Sequence, residues 1–106
     1  RLMRLHAGAV IKPHRDSGLS IEYGEARLHL PIHYSNEILF KVDHQPVPMR
    51  AGELWYINTD REHEVRNNGL TDRINLVIDC LANDWLHEQI HSASVFSYCG
   101  TQGNSA

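Results

Sequence analysis

The sequence predicts an all-β domain with one short helix near its C-terminus, and three observations carry that reading. Short runs of strand-forming residues alternate with turn residues along most of the chain. Only one stretch has helical spacing, and no apolar run approaches the ~18 residues of a membrane-spanning helix. Six or seven short strands within 106 residues fit a barrel or sandwich of antiparallel sheets. Their spacing favours a jelly roll, the double-stranded β-helix, over an immunoglobulin-type sandwich, which wants paired cysteines around a buried Trp.

Each element has its own justification. Leu2 to Ile11 is a mixed apolar run that stops at Pro13. Arg27 to His33 alternates, with Leu28, Leu30 and Ile32 on one side and Arg27, His29 and His33 on the other. Ile38 to Val42 follows, and Gln45 to Met49 contains prolines that suit only a sheet edge. In the strand from Glu53 to Ile57, Trp55 and Tyr56 alternate, so one is expected to face a pocket and the other the core. Glu64 to Arg66 leads into Asn67, Asn68 and Gly69, a tight-turn signal. Arg73 to Asp79 is the most strand-like segment, with Ile74, Leu76 and Ile78 opposite Arg73 and Asn75. Asn83 to His91 reads as the helix, capped by Asn83 or Asp84, with Trp85 expected to anchor it to the core beside Leu86 and Ile90.

Residues 1–91 are therefore expected to form one domain, and 92–106, rich in Ser and Gly, a loosely held tail. A net charge of -3 gives no basic footprint for nucleic acid, and nothing points to a membrane. Cys80 and Cys99 are too few for a disulfide framework and read as free thiols, in keeping with a cytoplasmic protein. The edges of so small a jelly roll are natural places for a second copy to cover, so a homodimer is one expectation.

Histidine is the unusual residue: there are eight, and imidazole is the commonest protein metal ligand. His14 and Asp16 lie two apart at the end of the opening run, where an extended chain turns both to one side. His63 begins a distant strand and can supply a third donor. Two histidines and a carboxylate suit non-haem Fe(II), which keeps open positions, and also occur in hydrolytic zinc sites. The same residues also read as a loop-capping pair and a solvated strand-end histidine. Arg73 on a polar strand face suits bidentate holding of a carboxylate, or a surface pair with Asp72 or Glu64. Arg27 and His29 are further anion-holding groups if their face lies inside. His87 and His91 read as a solvated helix face, and His6, His33 and His44 as strand-face or loop residues.

Taken in order, the segments Gly8 to Asp16, Arg27 to Ile32, Ala51 to Glu53, His63 to Asn67 and Arg73 to Asp79 resemble the aspartyl/asparaginyl β-hydroxylase family. The resemblance runs from about Met3 to Asp79, and the interval from His63 to Arg73 is its most specific part. It implies a cupin-like jelly roll and an Fe(II)- and 2-oxoglutarate-dependent dioxygenase that uses O2 to hydroxylate a peptide or small-molecule substrate. It also implies that His14, Asp16 and His63 hold the iron, that Arg73 grips the distal carboxylate of 2-oxoglutarate, and that Arg27 and His29 lie near its 2-oxo acid end. Vertebrate peptidyl members lack a carboxylate at the position of Asp16, so this chain is more similar to bacterial members, some of which act on free amino acids. Met3 stands where some members place a serine near the co-substrate. Ser17 to Ala26 is the natural place for a substrate loop. The early first motif and the start at Arg1 lead to the expectation of an upstream segment. The competing reading is a cupin that binds a metal and a small anionic ligand without oxygenase chemistry, and Arg73 is the residue that separates the two.

Overall fold

In the computed structural model, which describes residues 1–92, eight strands are followed by one helix. The strands are β1 (Leu2–Leu5), β2 (Val10–His14), β3 (Glu25–His33), β4 (Ile38–Val42), β5 (Gln45–Pro46), β6 (Trp55–Tyr56), β7 (His63–Asn67) and β8 (Arg73–Leu81). The helix α1 spans Asp84–Ser92, and a 3-10 turn covers Ile21–Tyr23. Among the described residues the strands form two four-stranded sheets, β1-β8-β3-β6 and β2-β7-β4-β5, every pairing antiparallel. This interleaved order is that of a double-stranded β-helix, in agreement with the predicted jelly roll.

The expected first strand is really two. Gly8 takes φ 81°, a left-handed conformation that a side chain would resist, and the chain there crosses from one sheet to the other. The Asn67 to Gly69 turn likewise joins β7 to β8 in different sheets, so it is a corner and not a hairpin. Asn67 holds this corner: its Nδ2 donates to the carbonyls of Leu5 and Thr71 at 3.0 and 2.9 Å, and its Oδ1 accepts from Gly69 N–H at 3.0 Å. Of the predicted Gln45 to Met49 edge segment, only Gln45–Pro46 pairs as strand.

The core lies between the sheets, around Phe40, Val42, Met49, Ile57 and Val65. Burying each such side chain contributes about 1.5–3 kcal/mol. On β3 the polar side is the inner one: His29 is buried, whereas Ile32, on the aliphatic side, is 51% exposed. A second small cluster forms where Leu86 and Ile90 of α1 pack with Ala26 and Ile21.

Trp85 is not the anchor the sequence suggested, because it is 65% exposed. Asn83 lies just outside the helix and its Oδ1 accepts from Leu86 N–H at 2.8 Å. That cap sets the helix so that positions 86 and 90, one turn apart, face inward, with Trp85 rotated away by about 100°. Ser92 is the last residue of the helix, and Cys99 with the rest of the predicted tail lies outside the described residues. Trp55 packs on the inter-sheet core and Tyr56 on the helix-side cluster, so neither lines the cavity described next.

Candidate metal and acid-binding site

β2 and β7 are neighbours, and their register places His14 opposite His63. One extra residue between Ile11 and His14 bulges β2 and re-aims its end. The two imidazole rings lie with centroids 4.2 Å apart. Asp16 comes from the segment just beyond β2, its backbone N–H donating to the Thr59 carbonyl at 2.8 Å.

His14, Asp16 and His63 each offer a ligand atom within 4.8 Å of the others. His14 Nε2 stands 3.7 Å from Asp16 Oδ1, and His63 Nε2 stands 3.5 Å from Asp16 Oδ2. Donors sharing an ion at 2.0–2.2 Å sit roughly 3.0–3.5 Å apart, so the set can close on a divalent cation with little movement. Both imidazoles are already oriented for it: Nδ1 of His14 donates to the Lys12 carbonyl and Nδ1 of His63 to the Arg61 carbonyl, each at 2.9 Å. The Nε2 lone pairs are thereby left free for a metal. Burial holds the His63 imidazole below its ordinary pKa, which favours the neutral, ligating form. The residues present fit a metal ion.

A cavity of about 130 Å³ runs from this cluster past Phe40 to Arg73. Arg73, the first residue of β8, is 3% exposed. Its guanidinium lies 5.9 Å from the Phe40 ring and 6.0 Å from the Tyr34 ring. No carboxylate pairs with it among the described residues, and Asp72, its neighbour in sequence, turns instead to Arg4 and His6. Burial lowers the Arg73 pKa from its usual value, yet a guanidinium remains charged at neutral pH. Tyr34 is pushed up to about 12 by burial and so keeps its proton.

Among the described residues, three buried side-chain atoms have no hydrogen-bond partner: His29 Nε2, Tyr34 Oη and Arg73 Nε. All three belong to one neighbourhood. The amide of Asn75, fully buried two residues along β8, joins two of these side chains. With its oxygen toward them, it accepts from an Arg73 terminal NH2 at 2.8 Å and from His29 Nδ1 at 3.0 Å. The reverse orientation would set its NH2 against the guanidinium, donor against donor. Desolvation, with Arg73 and Arg27 nearby, pushes the His29 pKa down to about 3, so the ring is neutral at pH 7.

Arg27 also faces inward, but its guanidinium is occupied. Nε and Nη2 bind Asp79 at 2.6 and 2.8 Å, and Nη1 binds Asp16 Oδ2 at 2.8 Å. The Asp79 hydrogen bond raises the Arg27 pKa, and the same contact lowers that of Asp79. Arg27 therefore bridges two carboxylates and orients the acidic member of the metal cluster. Sequence reasoning named His14, Asp16, His63, Arg73, Arg27 and His29, and the structure gathers all six around one cavity. It overlooked Asp79, Phe40 and Tyr34. Asn75 was visible only as a residue sharing the Arg73 face. Phe40 stacks near-parallel on His63 at 6.3 Å and meets His29 edge-on at 5.7 Å, making it the apolar wall between the metal cluster and Arg73.

No curated protein sequence matches the chain. Among solved structures it is similar to a predicted oxalate decarboxylase from Thermotoga maritima, with TM-score 0.56 and 23% identity over 76% of this chain. The chain spans 64% of the length of that structure. It is also similar to the TT1209 protein from Thermus thermophilus, with TM-score 0.54 and 19% identity, covering 76% of this chain and 69% of the other. At these identities the likeness shows the cupin-type fold alone. The sequence model of aspartyl/asparaginyl β-hydroxylase matches residues 1–83, and those residues include every member of the site. The chain belongs to the aspartyl/asparaginyl β-hydroxylase family.

Proposed function

We propose that this chain is an Fe(II)- and 2-oxoglutarate-dependent dioxygenase that hydroxylates a free amino acid or an aspartyl or asparaginyl side chain. One observation carries the reading: a buried arginine without an acidic partner shares a cavity with a metal-type cluster. An uncompensated buried cation costs several kcal/mol. The far carboxylate of a small dicarboxylic acid removes that cost, and the guanidinium fork can hold it through two hydrogen bonds.

His14, Asp16 and His63 would hold the iron, two neutral imidazoles and a carboxylate leaving the cavity side open. When bound, the iron, with 2-oxoglutarate and O2 as co-substrates, would supply the oxidising chemistry that turns a substrate C–H bond into C–OH, one oxygen atom going to the substrate and the other to succinate as CO2 is released. The chain's own residues do the positioning. Arg73 would fix the distal carboxylate, Arg27 and Asp79 hold Asp16 in line, and Phe40 with Val65 gives the cavity an apolar wall.

Adding 2-oxoglutarate anaerobically to the iron-loaded chain should produce a weak visible charge-transfer band. Its absence from a folded, iron-loaded sample would overturn the proposal and favour a cupin that binds a metal and a small anion. Succinate release across a panel of amino acids would then identify the substrate.

A further inference from the structure

We infer that Asn75 is the positioning residue of the acid-binding end: its single amide oxygen aims the Arg73 fork and fixes the hydrogen on Nδ1 of His29. The inference rests on the proposed 2-oxoglutarate reading and deepens it.

The geometry leaves Asn75 little freedom. It is fully buried on the inward side of β8, its oxygen receives both basic side chains, and its nitrogen donates to the Leu30 carbonyl at 3.2 Å. Pro31, its register partner on β3, provides no N–H that could compete for the amide oxygen. Two things follow. Arg73 is held by one terminal nitrogen while its Nε stays unpartnered, so the fork is oriented without being consumed. His29, which lines the cavity, is held as the Nδ1–H tautomer, and its buried, unpartnered Nε2 is left as a hydrogen acceptor. The cavity therefore has one wall that attracts a carboxylate and another that accepts a hydrogen from the ligand or from a water bridging to it.

Asn75→Asp tests this with little change of shape. The new carboxylate would pair with Arg73 inside the protein and compete with the ligand for the same fork. The affinity of the iron-loaded chain for 2-oxoglutarate, read anaerobically from the charge-transfer band, should fall by about tenfold or more, as expected when a charged hydrogen bond is diverted. Asn75→Ser, which removes the bridge and adds no charge, should weaken binding less. In the wild-type chain, nitrogen-15 NMR should find the His29 proton on Nδ1, a measurement that needs no variant to fold. A wild-type chain that binds no 2-oxoglutarate strikes the proposed function itself. Wild-type binding with unchanged affinity in a folded Asn75→Asp chain, or a His29 proton on Nε2, overturns the role of Asn75.

Discussion

His14 and His63 face one another across β2 and β7 at 4.2 Å, and each ties its Nδ1 to a carbonyl two residues back along its own chain. The pair is thus pre-set before any ion arrives. His63→Ala should remove Fe(II) binding, read by metal titration, while the far-ultraviolet circular dichroism stays that of a β protein. His63 is the more buried of the two, and its loss also takes away the ring stacked on Phe40. A destabilisation of about 1–3 kcal/mol should therefore accompany the loss of metal. Metal affinity equal to wild type in that variant would sink the cluster as a site.

Asp79 touches no ligand atom, yet it supplies the two hydrogen bonds that keep Arg27 against Asp16. Asp79→Asn breaks the bidentate pair and frees the guanidinium to swing. Metal affinity should fall by about 10-fold to 100-fold, the range seen when outer partners of a metal ligand are lost. Isothermal titration with Fe(II) or Co(II) would measure it.

The buried histidines make the metal-free chain acid-sensitive. His29 has its pKa pushed down to about 3 and His63 is also lowered, both from an ordinary value near 6.5. Below pH 6.5 the unfolded chain binds protons that the folded chain refuses, so stability falls as pH falls. For His29 the slope approaches about 1.4 kcal/mol per pH unit, and His63 adds to it in the same direction. It should be visible between pH 6.5 and 5, before most carboxylates titrate, and for His29 it continues down to about pH 3. Urea denaturation in the presence of a chelator would show it, and His29→Gln should flatten it. A stability independent of pH in that window would contradict the buried, neutral state of these rings.

The hairpin between β4 and β5 turns on two residues, Asp43 at φ 49° and His44 at φ 68°. Both are left-handed, as a type I′ turn requires, and neither is glycine. A side chain there costs roughly 1–2 kcal/mol, partly offset because glycine loses more entropy on folding. His44→Gly should stabilise the chain by about 0.5 kcal/mol and raise Tm by roughly 2–4 °C. The exposed contact of His44 with Glu62 is worth too little to reverse the sign.

The parts of the molecule that could be read from sequence are those whose geometry is local. His14 and Asp16 sit two apart at a strand end, Arg73 opens the most regular strand, and alternation separated the two faces of β3. Alternation alone could not say which face was inside, because β3 turns its polar side inward, the reverse of an ordinary core strand. The grip of Asp79 on Arg27 crosses 52 residues of sequence and depends on sheet register, which no short spacing encodes. Trp85 misled for a different reason. In a nine-residue helix, one position of rotation decides which side chain is buried, and the Asn83 cap made that choice.

The bulge in β2 makes the metal cluster a matter of counting as well as of chemistry. Regular pairing carried on from Ile11 and Val65 would set His14 opposite Glu62 and turn it to the other face. Because the strand absorbs one surplus residue between Ile11 and His14, His14 meets His63 instead. Deleting Lys12 takes out that surplus and leaves His14 opposite His63 by regular pairing, so the cluster survives the loss. Among relatives, a single-codon gap at this point is therefore compatible with the site, whereas one between His63 and Val65 would turn His63 away and leave all three donors unable to meet.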